Sequence, residues 1–382
     1  MLPVRGYRSW PVFLALLLMT STLVQAEAPI TAPFVAVRAY YLLEVESDQP
    51  LATLNPDQRI EPASLTKLMT AYLIFQALQG HKLTPGQWVM PSSHAWKMPG
   101  SRMFIQPGKA VTVNELLHGL IIESGNDAGV ALAETLDGTE EHFVARMNAM
   151  AQVLGMDNTH FANATGLPDA QHYSTARDLA MLARALMRDY PAYYPLYGQK
   201  GYTYDGISQA NRNRLLWMDP SVDGLKTGHT DTAGFCLISS AQRGQRRLLS
   251  VVLGASSDLG RTTESQKLLN WGFQAFQSQR LFARGQVVKT LPLYKGEQPQ
   301  LRVGFERDVW VTTPVGHEGE MRRTLTTWQP LIAPVAEHQK VGELKVYYAG
   351  QTINSADLMA LESVSVGNAF TRGWDTIRLM VK

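Results

Sequence analysis

A serine and a lysine three residues apart, Ser64 and Lys67 in EPASLTKLMT, have the types and spacing for acyl-transfer chemistry. A serine hydroxyl is a poor nucleophile at neutral pH and needs a neighbouring base, and residues i and i+3 of a helix lie side by side. An exposed lysine is protonated and cannot act as that base, whereas burial and the positive end of a helix disfavour its charged form. The apolar residues around Lys67 fit this requirement. A lone Ser-x-x-Lys is more often an ordinary helix start, so the other motifs decide between the two interpretations.

Two further short motifs follow, Ser124-Gly125-Asn126 and Lys226-Thr227-Gly228, and Ser64 is the only serine with a lysine three positions on. The order of the three motifs is that of the penicilloyl serine enzymes. The sequence contains no HExxH, no Cys/His cluster with ligand spacing, no GxSxG elbow and no glycine-rich phosphate loop. The pattern therefore predicts serine-based acyl transfer that uses no metal and no cofactor.

The elements around the motifs are predicted from local signals. Apolar residues recur at helical spacing over 63–79 after Pro62, with Gly80 as a stop, so Ser64 is placed at a helix N-terminus. Thr112 and Glu115 form a capping box for the next helix, and residues 124–126 are predicted to lie in the loop that follows it. Hairpins are predicted over 36–55 and 234–255, and a helix is predicted over 264–276.

The chain resembles the low-molecular-mass penicillin-binding proteins of the D-alanyl-D-alanine carboxypeptidase type over nearly its whole length. The segments that carry the resemblance are PASLTKLMT, SGNDA, QANRNRLLW, VDGLKTGHTDTAGF and LLNWGF. The resemblance implies an α+β fold, with an antiparallel sheet flanked by helices as in penicillin-recognising transpeptidases and β-lactamases. It also implies a small all-β C-terminal domain and a membrane-associating tail.

The resemblance also implies roles for individual residues. Ser64 would be the nucleophile that attacks the D-Ala-D-Ala peptide carbonyl, Lys67 its general base, and Ser124 a proton relay. Asn126 would bind the peptide backbone. The remaining implied residues line the substrate: Lys226 and Thr227 for the terminal carboxylate, Gly228 on the same strand, His229 with the Ser64 backbone N–H as the oxyanion hole, and Arg212 near the carboxylate.

Two positions depart from the family pattern, and two others have a structural interpretation. Arg212 lies one residue nearer to Lys226 than is expected of the family, and Gly129 stands where relatives often carry a cysteine. Asp178 is interpreted as a charge at a helix N-terminus, and a functional role is the alternative. The single cysteine, Cys236, lies in an apolar run and is interpreted as a buried structural thiol.

The ends of the chain bear on its location. Arg5 and Arg8 precede an apolar run and small residues that end at Ala26, a pattern typical of a secretory signal, although an uncleaved anchor is the alternative. At the other end, NAFTRGWDTIRLMVK spaces Phe370, Trp374 and Ile377 along one helix face. This basic amphipathic helix can lie in a membrane interface or dock on its own domain. The sequence therefore predicts a periplasmic protein on the outer face of the inner membrane.

The whole sequence sets the remaining limits. Its 382 residues are 45% hydrophobic, with a net charge of +2 that argues against nucleic-acid binding. The predicted organisation is a signal peptide (1–26), a catalytic domain (27–283), a β-rich domain (284–367) and an amphipathic tail (368–382). The expected partners are peptidoglycan stem pentapeptides ending in D-Ala-D-Ala, β-lactams and the membrane surface.

Three alternative functions remain at this stage. A β-lactamase of class A deacylates with a separate glutamate, whose usual pattern, a Glu four residues before an Asn, is absent between Ser124 and Lys226. An endopeptidase or transpeptidase that acts on cross-links stays open. The third alternative is a wall-binding protein that has lost turnover, and the presence of all motif residues argues against it.

Overall fold

The computed structural model describes residues 30–380, so the predicted signal peptide lies outside the described residues. The helices are α1 (Lys67–Gln79), α2 (Ser93–Lys97), α3 (Val113–Ile121), α4 (Asn126–Asp137), α5 (Glu140–Val153), α6 (Ala176–Asp189), α7 (Leu215–Met218), α8 (Asp258–Ala275) and α9 (Ala369–Met380). Short 3-10 turns cover Ala63–Thr66, Tyr194–Gly198 and Glu318–Glu320.

The strands fall into a first group that ends at Ala255 and a second group that begins at Phe276. The first group is β1 (Ala39–Glu44), β2 (Gln49–Leu54), β3 (Trp88–Val89), β4 (Val111–Thr112), β5 (Gly201–Tyr204), β6 (Ile207–Ala210), β7 (Val222–Thr230), β8 (Gly234–Arg243) and β9 (Arg246–Ala255). The second group is β10 (Phe276–Phe282), β11 (Lys289–Tyr294), β12 (Gln300–Gly304), β13 (Val309–Pro314), β14 (Arg322–Thr327), β15 (Leu331–Ile332), β16 (Lys340–Tyr348) and β17 (Gln351–Ala360).

A five-stranded antiparallel sheet with strand order β2-β1-β9-β8-β7 forms the centre of the first part. Its central strands β1, β8 and β9 carry buried apolar side chains on both faces, and helices cover both faces. In β9, Leu248 and Val252 join the core that contains Leu268 of α8, whereas Leu249 and Val251 join the core built around α1, α4 and α6. The alternation of side chains along a strand thus divides the hydrophobic residues between two cores. The α+β fold class is confirmed.

Most local predictions are confirmed. The first hairpin is β1–β2, the second is β8–β9, and Thr112 and Glu115 form the predicted capping box at the start of α3. The loop prediction for residues 124–126 is wrong at Asn126, which is the first residue of α4 after the N-cap Gly125. The prediction that Phe276 ends a helix is also wrong, because this residue begins β10.

The second part of the chain has its own sheets and its own core. Strand β10 pairs with β13, and a six-stranded sheet has the order β14-β16-β17-β12-β11-β15. The buried side chains of these strands form a separate hydrophobic cluster. Because β10 belongs with these strands, they begin before the domain boundary predicted at residue 283, and that boundary stays a prediction.

Helix α9 contacts the β-rich part through Asp375, through Arg378 over the Tyr294 ring and through the half-buried Leu379, and it leaves several large apolar side chains exposed. The buried carboxylate of Asp375 accepts a hydrogen bond of 2.6 Å from the backbone N–H of Lys295. Phe370, Trp374 and Ile377 are 86%, 59% and 57% exposed. Within residues 30–380, no helix has both the length and the apolar character needed to cross a bilayer.

Candidate active site

Ser64 lies on the 3-10 turn Ala63–Thr66, which continues directly into α1. The turn is sharp because Ala63 has a positive φ of 48°. The chain at Gly166 packs directly against it: a Cβ on this glycine would lie 1.8 Å from the Ala63 carbonyl oxygen. The serine is therefore held by its neighbours on an otherwise buried turn.

Lys67 is the first residue of α1 and lies next to Ser64. Its Nζ is 2.8 Å from the Ser64 Oγ, 2.6 Å from the Asn126 Oδ1 and 2.6 Å from the Thr165 carbonyl oxygen. The side chain is 1% exposed. Burial, with the positive charge of Arg212 as the second cause, lowers the pKa of Lys67 to about 7. A large fraction of Lys67 is thus neutral near pH 7, as a general base must be.

Ser124 and Lys226 form a second serine–lysine pair. The Lys226 Nζ donates to the Ser124 Oγ at 2.8 Å, and both residues are buried. Ser124 adopts a positive φ of 63°, an uncommon backbone state for a serine that is typical of functional sites. Burial, followed by the charges of Lys67 and Arg212, lowers the pKa of Lys226 well below its usual value. The two pairs are therefore electrostatically coupled.

Asn126 connects Lys67 to the segment before α3. Its Oδ1 accepts from Lys67, and its Nδ2 donates to the Pro99 carbonyl oxygen at 2.6 Å. The next residue, Asp127, accepts hydrogen bonds of 2.9 Å from the backbone N–H groups of Met103 and Phe104. Together these two side chains fix the loop that approaches the site from that side.

Strand β7 brings the third motif against Ser64. A Cβ on Gly228 would lie 3.2 Å from the backbone nitrogen of Ser64, so the strand passes close to this N–H group. Thr227 is 4% exposed, and His229 is exposed with its ring tilted against that of Phe235 at 4.0 Å between centroids. The structure thus brings all three motifs together, while the individual roles of their residues stay predictions.

Arg212 lies close enough to the site to lower the pKa of both lysines, despite its shortened spacing to Lys226. Its Nε is 3.4 Å from the Glu123 carbonyl oxygen. A second arginine, Arg261, was not singled out in the sequence. It donates to the Gly228 carbonyl oxygen at 3.0 Å from a buried position beneath β7.

Sequence reasoning also missed the loop that supplies the Thr165 carbonyl. In this loop the Asn163 Oδ1 accepts from the backbone N–H groups of Thr165 and Gly166 at 3.1 and 2.7 Å. An Asn followed three residues later by a Gly is a turn signal that could have marked the loop. Nothing in the sequence indicates that a backbone oxygen of this loop binds Lys67.

The other residues noted in the sequence are Asp178, Cys236 and Gly129, and they contribute to the packing of the protein. Asp178 is buried near the start of α6, where its Oδ2 accepts from the Asn158 backbone N–H at 2.9 Å. Cys236 is buried, and burial raises the pKa of its thiol to about 11. Gly129 on α4 lies below the 163–166 loop, where a Cβ would be 3.5 Å from the Thr165 methyl carbon.

Comparison with known proteins identifies the family. The family model described as D-alanyl-D-alanine carboxypeptidase matches residues 25–257. The chain belongs to this family. A second model, the C-terminal domain of penicillin-binding protein 5, matches residues 276–366.

Several relatives span most of the chain. D-alanyl-D-alanine carboxypeptidase DacA of Escherichia coli (strain K12) is 39% identical over 91% of this chain and 88% of its own length. The crystal structure of penicillin-binding protein 5 from Haemophilus influenzae matches with a TM-score of 0.82 and 38% identity, over 88% of this chain and 99% of that chain. Penicillin-binding protein D2 of Listeria monocytogenes, solved in an ampicillin-bound form, matches with a TM-score of 0.59 and 31% identity, over 64% of this chain and 99% of that chain.

Proposed function

We propose that this member of the D-alanyl-D-alanine carboxypeptidase family removes the terminal D-alanine from peptidoglycan pentapeptide stems through an acyl-enzyme on Ser64. The observation that carries the proposal is the buried Lys67 Nζ, 2.8 Å from the Ser64 Oγ, with a pKa of about 7. A neutral amine at that distance can accept the hydroxyl proton at the moment the oxygen attacks a carbonyl.

The first half of the reaction forms the acyl-enzyme. Ser64 Oγ bonds to the carbonyl carbon of the penultimate D-alanine while its proton passes to Lys67. The backbone N–H groups of Ser64 and His229 are proposed to bind the oxyanion, a contribution that is worth about 3 kcal/mol per donor. The C–N bond then breaks, and the amine of the leaving D-alanine takes the proton held by Lys67 through Ser124, so that Lys67 is neutral again; the Lys226 Nζ contacts the Ser124 Oγ at 2.8 Å.

The second half releases the shortened stem. Water attacks the ester carbon, Lys67 takes a proton from the water, and the Ser64 oxygen leaves as a hydroxyl. Asn126 is proposed to hold the peptide backbone of the stem. Lys226, Thr227 and Arg212 are proposed to bind the terminal carboxylate of the substrate, because cationic and hydroxyl donors suit an anion.

β-Lactams are proposed to acylate the same serine, because their strained amide takes the place of the peptide bond. An ampicillin-bound structure exists for a relative that spans the first part of the chain. For its location, we propose export by the N-terminal segment to the periplasm and peripheral attachment of α9 to the inner membrane. The exposed Phe370, Trp374 and Ile377 support that attachment.

The decisive experiment measures free D-alanine released from diacetyl-Lys-D-Ala-D-Ala by the purified protein and by S64A. We expect release and labelling by a fluorescent penicillin from the wild type and neither from S64A. As a matched control, Ser101 in the neighbouring loop is changed to Ala and should retain both activities. D-Alanine release by S64A would refute the assignment of the nucleophile.

The same purified protein can be used to distinguish a carboxypeptidase from a β-lactamase or a transpeptidase. Rapid multiple turnover of a chromogenic cephalosporin would indicate a β-lactamase, whereas a carboxypeptidase is expected to hydrolyse about one equivalent slowly. Transfer of the acyl group to an added amino acid at the expense of hydrolysis would indicate a transpeptidase.

A further inference from the structure

The side chain of Glu123, directly before Ser124, is a buried acid without a hydrogen-bond donor. It is 1% exposed, and neither carboxyl oxygen has a hydrogen-bond partner within residues 30–380. Glu44 provides a contrast, because its Oε2 accepts from the Ser47 N–H at 2.7 Å and the Ser47 Oγ at 2.6 Å in an equally buried position. A buried carboxylate without donors is costly, so burial at Glu123 favours the protonated acid.

Two charged groups on neighbouring segments, Asp127 and Arg212, act on Glu123 in addition to its burial. Burial is the largest cause that raises the pKa of Glu123 to about 8; the negative charge of Asp127 on α4 adds to it and the positive charge of Arg212 opposes it. On β5, burial raises the pKa of Tyr202, and the charges of Glu115 and Glu123 add to this effect. The carboxyl group therefore changes charge near neutral pH, next to the second motif.

Arg212 links this carboxyl group to the catalytic lysines. Its Nε already lies 3.4 Å from the peptide oxygen of Glu123, and its side chain is exposed. Its charge also acts on Lys67 and Lys226. An arginine in this place can be attracted either by the acid behind it or by an anionic substrate in front of it.

We propose that Glu123 is a positioning residue for Arg212, and that its protonation state sets whether the guanidinium is available to the substrate. When Glu123 is neutral, Arg212 can attract the terminal carboxylate of the substrate. When Glu123 is ionised, it attracts the guanidinium and neutralises its charge. This inference rests on the proposed carboxypeptidase function.

The inference predicts that substrate binding weakens as Glu123 ionises, while the chemical step on Ser64 changes less. The test compares wild type with E123Q, which keeps the shape of the side chain and cannot ionise. We expect the KM of the wild type for diacetyl-Lys-D-Ala-D-Ala to rise about fivefold relative to E123Q between pH 6 and pH 9.5, the scale of coupling between contacting charges. The ratio of the two kcat values should change much less.

Two controls isolate the effect. E141Q removes one exposed carboxylate from α5 and should follow the pH profile of the wild type. The analogue diacetyl-Lys-D-Ala-D-alaninamide lacks the terminal carboxylate, so its binding by wild type and E123Q should not diverge with pH. Parallel KM profiles of two active proteins would overturn the inference and leave the carboxypeptidase function intact.

A second measurement does not depend on activity. Infrared difference spectra of the wild type should show a protonated carboxyl band at pH 7 that disappears by pH 9, and E123Q should lack it. If E123Q does not fold, the comparison of wild type with R212Q tests the inference instead. Loss of the Arg212 guanidinium should raise the pH at which half of the carboxyl band has disappeared. An absent band or an unchanged midpoint would overturn the inference. Failure of all proteins to release D-alanine or bind penicillin would instead refute the proposed function.

Discussion

At the scale of residues, the candidate site contains two lysines, Lys67 and Lys226, and burial disfavours the positive charge of each. Lys67 and Lys226 are almost fully buried, and each donates to a serine hydroxyl. Because each charge makes the other less favourable, protonation of one lysine opposes protonation of the other. In the proposed mechanism, Lys67 is thus the proton acceptor beside Ser64, without a histidine side chain or a metal.

The first prediction concerns the acid limb of the pH profile. Lys67 must be neutral to act as the base, so acylation of Ser64 by a fluorescent penicillin should rise with pH to a midpoint at about 7. Since Arg212 is one cause of the lowered pKa, R212Q should shift this midpoint to higher pH. Acylation rates from about pH 5 to about pH 11 measure the midpoint for both proteins. A wild-type midpoint near the usual lysine value of about 10.4 would contradict the role of Lys67.

The second prediction concerns His172, which contacts the turn that carries Ser64. Its Nδ1 accepts from the Ala162 N–H at 3.3 Å, so its Nε2 carries the proton and donates to the Thr66 Oγ1 at 2.7 Å. Burial lowers the pKa of His172 to about 4. An unfolded histidine binds a proton below about pH 6.5, so the stability contributed by the neutral ring is present above that pH and lost towards pH 4.

Substitution of His172 by Gln tests whether the stability contributed by His172 is present at neutral pH and lost at acidic pH. At pH 7, H172Q should lower the free energy of unfolding by about 1–3 kcal/mol, because a buried polar contact is broken. The difference in free energy of unfolding between wild type and H172Q should shrink as the pH falls below about 6.5. It should fall by about 1.4 kcal/mol for each pH unit until the pH approaches the folded pKa of His172, which is about 4. Urea unfolding at pH 7 and pH 4.5 measures both values. A difference that stays constant with pH would show that His172 is not held neutral.

At the scale of elements, the sequence predicted the features that depend on residues close together in the chain. The capping box of α3 involves only Thr112 and Glu115, and the first hairpin involves strands joined by a short turn. The contact of Lys67 with the Thr165 carbonyl spans 98 residues and involves a backbone atom that carries no sequence signal. The strand at Phe276 was missed because its pairing partner lies more than thirty residues later, at Pro314.

The third prediction tests the fit between the 163–166 loop and the nucleophile turn. Gly166 has a φ of 88°, and a Cβ there would lie 1.8 Å from the Ala63 carbonyl oxygen. G166A should therefore displace the turn, lower the free energy of unfolding by more than about 3 kcal/mol and slow penicillin acylation. Gly138 is a matched control, with a φ of 81° and open space around its Cβ position.

G138A should lower the free energy of unfolding by only about 1 kcal/mol, because it adds backbone strain without a clash. Urea unfolding and the rate of penicillin labelling are measured for both variants. Equal effects of G166A and G138A would show that the close contact between Gly166 and Ala63 does not position the nucleophile.

At the scale of the whole molecule, polar contacts join the first hairpin to the β-rich part. The side-chain amide of Gln49 pairs with the backbone of Thr312, donating to its carbonyl oxygen at 3.1 Å and accepting from its N–H at 2.6 Å. Asn354 donates to the Trp310 and Ser47 carbonyl oxygens at 2.8 and 3.3 Å. These buried or half-buried bonds have directional geometry, so they fix the strands of the β-rich part against the hairpin.

The last prediction follows from how α9 is attached to that β-rich part. Asp375 fixes the helix by its polar side, while Phe370, Trp374 and Ile377 remain exposed. Because these three side chains make few contacts in the fold, F370S/W374S/I377S should keep its stability and its D-alanine release from a soluble peptide. Burial of such side chains in a bilayer interface is worth about 1.5–3 kcal/mol each, so the triple variant should bind anionic lipid vesicles at least about tenfold more weakly.

The control for this experiment replaces exposed apolar residues elsewhere. Trp88, Met90 and Val153 are 69%, 62% and 77% exposed and lie outside α9, so W88S/M90S/V153S removes similar exposed apolar surface. Sedimentation with vesicles should leave this control bound like the wild type. If the α9 variant also bound vesicles like the wild type, the helix would only cap its own domain. The main role of α9 would then be to form the hydrogen bond between Asp375 and Lys295. In that case D375N should lower the stability of the β-rich part without changing vesicle binding.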